Sequence, residues 1–208
     1  MGMTTAPRRP ARKDAARNRQ RIIEVGRRFV DDELPIQLND VARSAVVGVA
    51  TVYRHFPTPE ALLETIATPG LEELARHAEQ ALTVDDAWAA LRDFLHAAIA
   101  MQLTDAAIQP VMATAQHALP HTTQLSRHLG ELFGELLRRA QAAGAVDPSV
   151  TPADVAPLLC GVVFAAKVHP GERAATARRY LDVLFDGLRT RRDGPGQVST
   201  ATGRCQGR

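Results

Sequence analysis

At 208 residues the chain is long enough for one large or two small domains with a buried core. Aromatics are only 4% and the 45% hydrophobic fraction is dominated by alanine and leucine, which favours helix and leaves β-branched residues too scattered for a sheet. The net charge of +2 conceals a division, +5 over residues 1–56, −7 over 57–188 and +4 over 189–208, so the ends suit a polyanion and the middle does not.

Residues 1–13 are rich in Pro, Arg, Ala and Thr and read as a disordered basic arm, with Arg8, Arg9, Arg12 and Lys13 available to a nucleic-acid backbone or, equally, to solvent. A first helix is expected over 14–31, where Ile22, Val25, Gly26 and Phe29 form an inward stripe. Leu38, Val41 and Ala42 predict a short second helix, with Asn39 or Asp40 near its start. After a tight turn, Thr51-Val52-Tyr53-Arg54-His55-Phe56 predicts a third. Val52 and Phe56 lie four apart on one face and can anchor it from behind. Helix, turn, helix is the local reading.

Thr58 is a suitable N-cap for a fourth helix with Pro59 at N1. It is expected to reach residue 67, then break at Pro69-Gly70, as a hinge or equally a plain loop, before resuming through Leu82. Further helices are expected over 85–103 (Trp88, Leu91, Leu95 and Ile99 inward), 105–117 (irregular at Pro110), and 122–143 (stopped by Gly144). Thr151-Pro152-Ala153-Asp154 supplies an N-cap, an N1 proline and an N3 acid for a helix to about 168. Pro170-Gly171 ends it, and a last helix covers about 172–189. Residues 190–208 read as a disordered tail.

Cys160 sits in an apolar run and reads as a small buried hydrophobe, Cys205 lies in the polar tail, and no CxxC spacing occurs. A reduced, cytoplasmic protein is the expectation. No apolar run approaches the ~20 residues that span a bilayer, and the basic start lacks a hydrophobic export segment.

From Arg19 to Ile66 the chain resembles the TetR family of transcriptional regulators. The resemblance is carried by Ile22-Ile23-Glu24-Val25, Phe29, Leu38-Asn39-Asp40-Val41-Ala42, Val47 to Phe56, and Pro57-Thr58-Pro59-Glu60-Ala61-Leu62-Leu63. Two positions depart from the family pattern: Val46 stands where the turn usually carries glycine, and Pro59 where lysine is frequent. The resemblance implies an all-α fold of about nine helices. Residues 14–67 would form a three-helix DNA-binding domain (helix-turn-helix about 37–56) and 68–189 a helical effector-binding and dimerisation domain.

Carried over by position, the resemblance sets Val49 and Ala50 near base edges and makes Arg54 a base or phosphate contact. Thr51, Tyr53 and His55 become phosphate ligands, and Gly48 a site of close backbone approach. The implied partners are double-stranded DNA with a pseudo-palindromic operator, a second copy bound through helices at about 152–168 and 172–189, and a small-molecule effector. The apolar surplus of Leu158, Leu159, Val162, Val163 and Phe164, and of Tyr180, Leu181, Leu184, Phe185 and Leu188, agrees with that dimer. Pocket candidates are Trp88, His96, Met101, Gln102, Met112, Gln116, His117, His121 and Phe164, each also readable as core or surface.

The function expected is a sequence-specific regulator, a repressor released by its effector; a degenerate ligand sensor and a non-specific DNA binder are the alternatives. An enzyme is not expected: the chain lacks a Gly-rich phosphate loop, a GxSxG elbow and a P-loop, and Asp93, His96 and His117 form no organised constellation. No cofactor motif occurs. His117 and His121 have the i, i+4 spacing of zinc ligands, but Pro120 lies between them and no acid or cysteine stands at ligand spacing.

Overall fold

The computed structural model describes residues 9–168 and 170–189. The basic arm up to residue 8 and the tail from 190 lie outside the described residues. These form nine α-helices: α1 Arg9–Asp31, α2 Leu38–Ala45, α3 Val49–His55, α4 Pro59–Ala81, α5 Ala87–Thr104, α6 Ile108–Met112, α7 Pro120–Ala142, α8 Pro152–Lys167 and α9 Arg173–Leu188. A 3-10 turn, Pro170–Glu172, joins the last two. The fold is all-α, with an N-terminal helix-turn-helix part and a C-terminal helical part.

α1 starts at Arg9 rather than near residue 14. Ala11, Arg12, Lys13, Ala15 and Ala16 are good helix formers, and Pro10 is tolerated in a first turn. The basic residues 9–13 therefore extend a helix. α2 is entered from Gln37, without a side-chain cap, and Asn39 and Asp40 fall in its first turn. It ends on Val46, whose φ of 54° and ψ of 46° are left-handed and whose N–H faces the carbonyls of Ala42 and Arg43.

The larger difference is α4. It is one helix through Pro69 and Gly70, where a break was expected. Proline removes a single intrahelical bond, whereas Ile66, Ala67, Leu71 and Leu74 on either side of it are all buried. Burial of an amphipathic face supplies most helical stability in proteins, so packing outweighs the interruption. Gly70 has its own reason: a Cβ there would lie 2.7 Å from Cδ1 of Ile108, so α6 packs closely over α4 at this glycine.

The helix expected over 105–117 shrinks to α6, and 113–119 is a loop of turns and bends. Leu119 precedes Pro120 and takes φ −110°, ψ 131°, as a residue before proline must when helix is disfavoured. The loop's N–H groups find another partner. Glu64 of α4, only 2% exposed, accepts from Ala118 at 2.6 Å and from Leu119 at 2.8 Å. A buried carboxylate held by two N–H groups clasps loop to helix.

The remaining ends follow their sequence signals. Gly144 turns left-handed at φ 70°, and the N–H of Ala145 reaches the carbonyl of Ala140 at 3.0 Å to close α7. At α8, the Asp154 carboxylate accepts from the Thr151 hydroxyl at 2.6 Å and its N–H at 2.9 Å. Those two bonds, the hydroxyl's first, hold the Asp154 carboxyl below its usual range.

One apolar cluster runs from Ile22 of α1 to Leu188 of α9, with α4 packed on α1, α5, α6 and α7. Between the N-terminal part and the rest, Arg27 of α1 pairs with Asp105 and donates to the Ile66 carbonyl at 2.7 Å. Asp105 also receives the Ala107 N–H at 2.9 Å. The N-terminal part and the body are thus joined by packed side chains as well as by chain.

Candidate nucleic-acid interface and helical-domain cavity

The third helix is short, and its two faces differ sharply. Val52 is fully buried and Phe56, just past its end, is 2% exposed. Both belong to the same buried cluster as Ile22, Val25, Leu38 and Val41, and α3 packs on α1 and α2. The guanidinium of Arg19 lies 5.4 Å from the Phe56 ring centroid, covering that anchor with a cation–π contact. The opposite face presents Val49, Ala50, Tyr53 and Arg54 to solvent. These positions, i, i+1, i+4 and i+5, share one side of a helix.

Gly48 precedes the helix in extended conformation and is exposed; Thr51 and His55 are partly covered. His55 Nε2 is buried without a protein partner. Arg54 makes no ion pair with the described residues, whereas Arg43 at the end of α2 is held by Asp40 at 3.2 Å. The arrangement is a rigid two-turn helix with an aliphatic start and a basic, phenolic end. Such a surface can set small side chains against base edges while longer donors reach phosphates.

Farther along α4, a cavity of about 180 Å³ lies among α4, α5, α6, α7, α8 and the 113–119 loop. Its wall is mainly apolar: Leu74, Leu129, Leu159 and the Phe94–Phe133 pair, whose centroids are 6.3 Å apart. Gln102, Met112 and His117, all singled out from the sequence, line it together. Trp88 and His96 do not. They stack edge-on against Phe185 of α9, at 5.7 and 5.2 Å between centroids. Met101 packs against the core, Gln116 is exposed in the loop, and Phe164 faces a groove beside Leu34 and Pro35. His121 is exposed, 3.3 Å from Glu72. Since α7 begins at Pro120, His117 and His121 share no helix face.

Sequence reading did not single out Phe94, Ser126, Phe133 or Glu64. The spacing of Phe94, Ala98 and Gln102, each four apart, is the signal that could have found one wall. It lies beside the Leu91-Leu95-Ile99 stripe and was absorbed by it. Cys160, expected to be buried, is partly exposed and lines the cavity.

Among the described residues, no helix is long and apolar enough to cross a membrane. Residues 86–190 match a family model described as the C-terminal domain of SbtR-like transcriptional regulators. An HTH-type transcriptional regulator of Staphylococcus aureus (strain USA300) is 35% identical over 71 residues, 33% of this chain and 38% of that protein. The match therefore spans well under half the length of that relative. Among solved structures, the TetR transcriptional regulator SCO0520 from Streptomyces coelicolor superposes with a TM-score of 0.52 at 28% identity, covering 83% of this chain and 99% of that one. FadR from Bacillus subtilis in complex with stearoyl-CoA shares the fold, with a TM-score of 0.58 at 14% identity over 81% of this chain and 98% of that one. With the C-terminal model covering half of its residues, the chain belongs to the TetR family of transcriptional regulators.

Proposed function

We propose that the protein is a cytoplasmic, sequence-specific DNA-binding regulator that acts as a homodimer. Two copies of α3 enter successive major grooves of a pseudo-palindromic operator. The observation carrying this reading is the division of α3 into a buried face, Val52 and Phe56, and an exposed face of Val49, Ala50, Tyr53 and Arg54. On that face Val49 and Ala50 meet base edges, Arg54 a base or phosphate, and Tyr53 with Thr51 and His55 phosphate oxygens. Gly48 lets the backbone approach.

One such helix reads only a few base pairs, so specificity requires two heads at fixed spacing. The second copy docks on α8 and α9, where Leu158, Val168 and Val183 are 48%, 64% and 67% exposed. The cavity receives a small molecule that favours the head spacing unable to hold DNA, so the regulator is a repressor released by its effector. The wall residue Leu74 belongs to α4, the helix that begins beside α3, and Glu64 of α4 clasps the loop carrying His117. Linkage then requires DNA to weaken effector binding by the factor with which effector weakens DNA binding. FadR holds stearoyl-CoA, a molecule far larger than 180 Å³. The shared fold supports an effector site, and the cavity size argues for a different occupant.

Selection of bound sequences from random duplex DNA by the purified protein tests the reading. Recovery of one motif with two inverted half-sites is expected. Binding without a motif would point to a general DNA binder, and no recovery to a sensor that has lost its operator.

A further inference from the structure

The cavity's size and wall restrict what it can hold. An apolar cavity of about 150 Å³ accommodates benzene, so 180 Å³ suits one six-membered ring with a small substituent. No Lys, Arg, Asp or Glu lines it, so a carboxylate or ammonium would be desolvated without a permanently charged partner. Four polar side chains interrupt the apolar wall, Gln102, Thr114, His117 and Ser126. Thr114 already donates to the Gln116 carbonyl at 3.2 Å, and Gln102 and His117 are the two that keep a buried atom without a partner. Gln102 is 2% exposed; its Nε2 donates to the Ala98 carbonyl at 3.3 Å, and its Oε1 has no protein partner. Reversing the amide would oppose two carbonyl oxygens, so Oε1 is the unpaired acceptor.

The second group is His117, with a side chain 7% exposed and Nδ1 also unpartnered. The nearest carboxylate oxygen, of Glu64, is 3.9 Å away, beyond hydrogen-bond reach, and already holds the loop's N–H groups. Buried polar groups are almost always paired. Both side chains line the cavity and each keeps a buried polar atom without a partner, which a small turn of the side chain would bring to a guest that supplies one.

We propose that the effector is a neutral, single-ring aromatic alcohol of the phenol class. Its hydroxyl donates to Oε1 of Gln102, His117 Nδ1 is the second polar contact, and the ring lies against Phe94 and Phe133. This names the ligand class of the effector site and rests on that reading.

Titration calorimetry on the full-length protein with 4-methylphenol, toluene and benzoate tests the assignment. 4-Methylphenol is expected to bind at least roughly tenfold tighter than toluene, the worth of one buried hydrogen bond, and benzoate not at all. Gln102→Met keeps the volume without the acceptor. It should bring the two neutral ligands within about threefold, and retained toluene binding would show that the cavity persists. Should the variant unfold, the wild-type comparison decides alone. Equal wild-type affinities, benzoate binding, an unchanged preference in Gln102→Met, or no binding of either neutral ring overturns the proposal. Adding 4-methylphenol to the protein–operator complex separates the two readings. Binding without DNA release leaves the ligand class standing and removes its effector role. Release by other compounds with no phenol binding does the reverse.

Discussion

Val46 holds the turn between α2 and α3 at φ 54°, a region where a β-branched Cβ crowds the backbone at a cost of ~1–2 kcal/mol. The side chain is 84% exposed, so removing it forfeits little packing. Glycine would relieve the strain but add ~0.5–1 kcal/mol of unfolded-state entropy. Val46→Gly is therefore expected to raise unfolding free energy by roughly 0.5–1 kcal/mol, read by urea denaturation. Unchanged or lower stability would show that the turn is relaxed as it stands. At this scale the sequence was informative where one helix decides the outcome. Val52 and Phe56 at four-residue spacing predict the buried face, and Tyr53 and Arg54 fall opposite. The cavity was less legible, because its wall is assembled from six segments and no single periodicity marks it.

At the scale of elements, α4 connects the two functional parts, and its continuity was not readable from Pro69-Gly70. Proline and glycine are ordinary breakers, and what overrides them here is tertiary: Ile108 against Gly70 and Glu64 beneath the 113–119 loop. The contact gives a direct check. In Gly70→Ala the new methyl meets Cδ1 of a fully buried Ile108 at 2.7 Å and Oδ2 of Asp105 at 3.1 Å. Ile108 is fully buried and Asp105 is paired with Arg27, so both side chains must shift to admit the methyl. Overpacking of ~1–3 kcal/mol should exceed the ~0.5–1 kcal/mol that alanine gains in a helix, for a net loss near 1 kcal/mol. Gly134→Ala, with no atom within 4 Å of its added Cβ, should instead gain ~0.5–1 kcal/mol. Thermal unfolding of both variants checks the pair; two losses or two gains would contradict the packing assigned to Gly70. Elements whose ends carry local chemistry, such as the Thr151–Asp154 box and Gly144, were legible because their signals act within a few residues.

At the scale of the molecule, charge and apolar surface divide the work: a basic N-terminal part and an acidic body whose last two helices leave Leu158 and Val183 exposed, with Val168 exposed just past the end of α8. Sedimentation at micromolar concentration should give twice the chain mass. Val183→Glu, which would set an unpaired carboxylate in the proposed interface, should shift the protein toward monomer with its helix content intact. A monomeric wild type would remove the two-headed operator reading.

The central claim is that the outward face of α3 meets DNA, and Tyr53 is its most specific test, being 46% exposed and outside the core. Fluorescence anisotropy with the selected duplex at fixed salt compares the wild type with Tyr53→Ala. Loss of a phosphate-bound phenol in each of two heads should weaken binding roughly tenfold or more, with fold and dimer mass unchanged. Equal affinity of the two proteins for that duplex would contradict the claim.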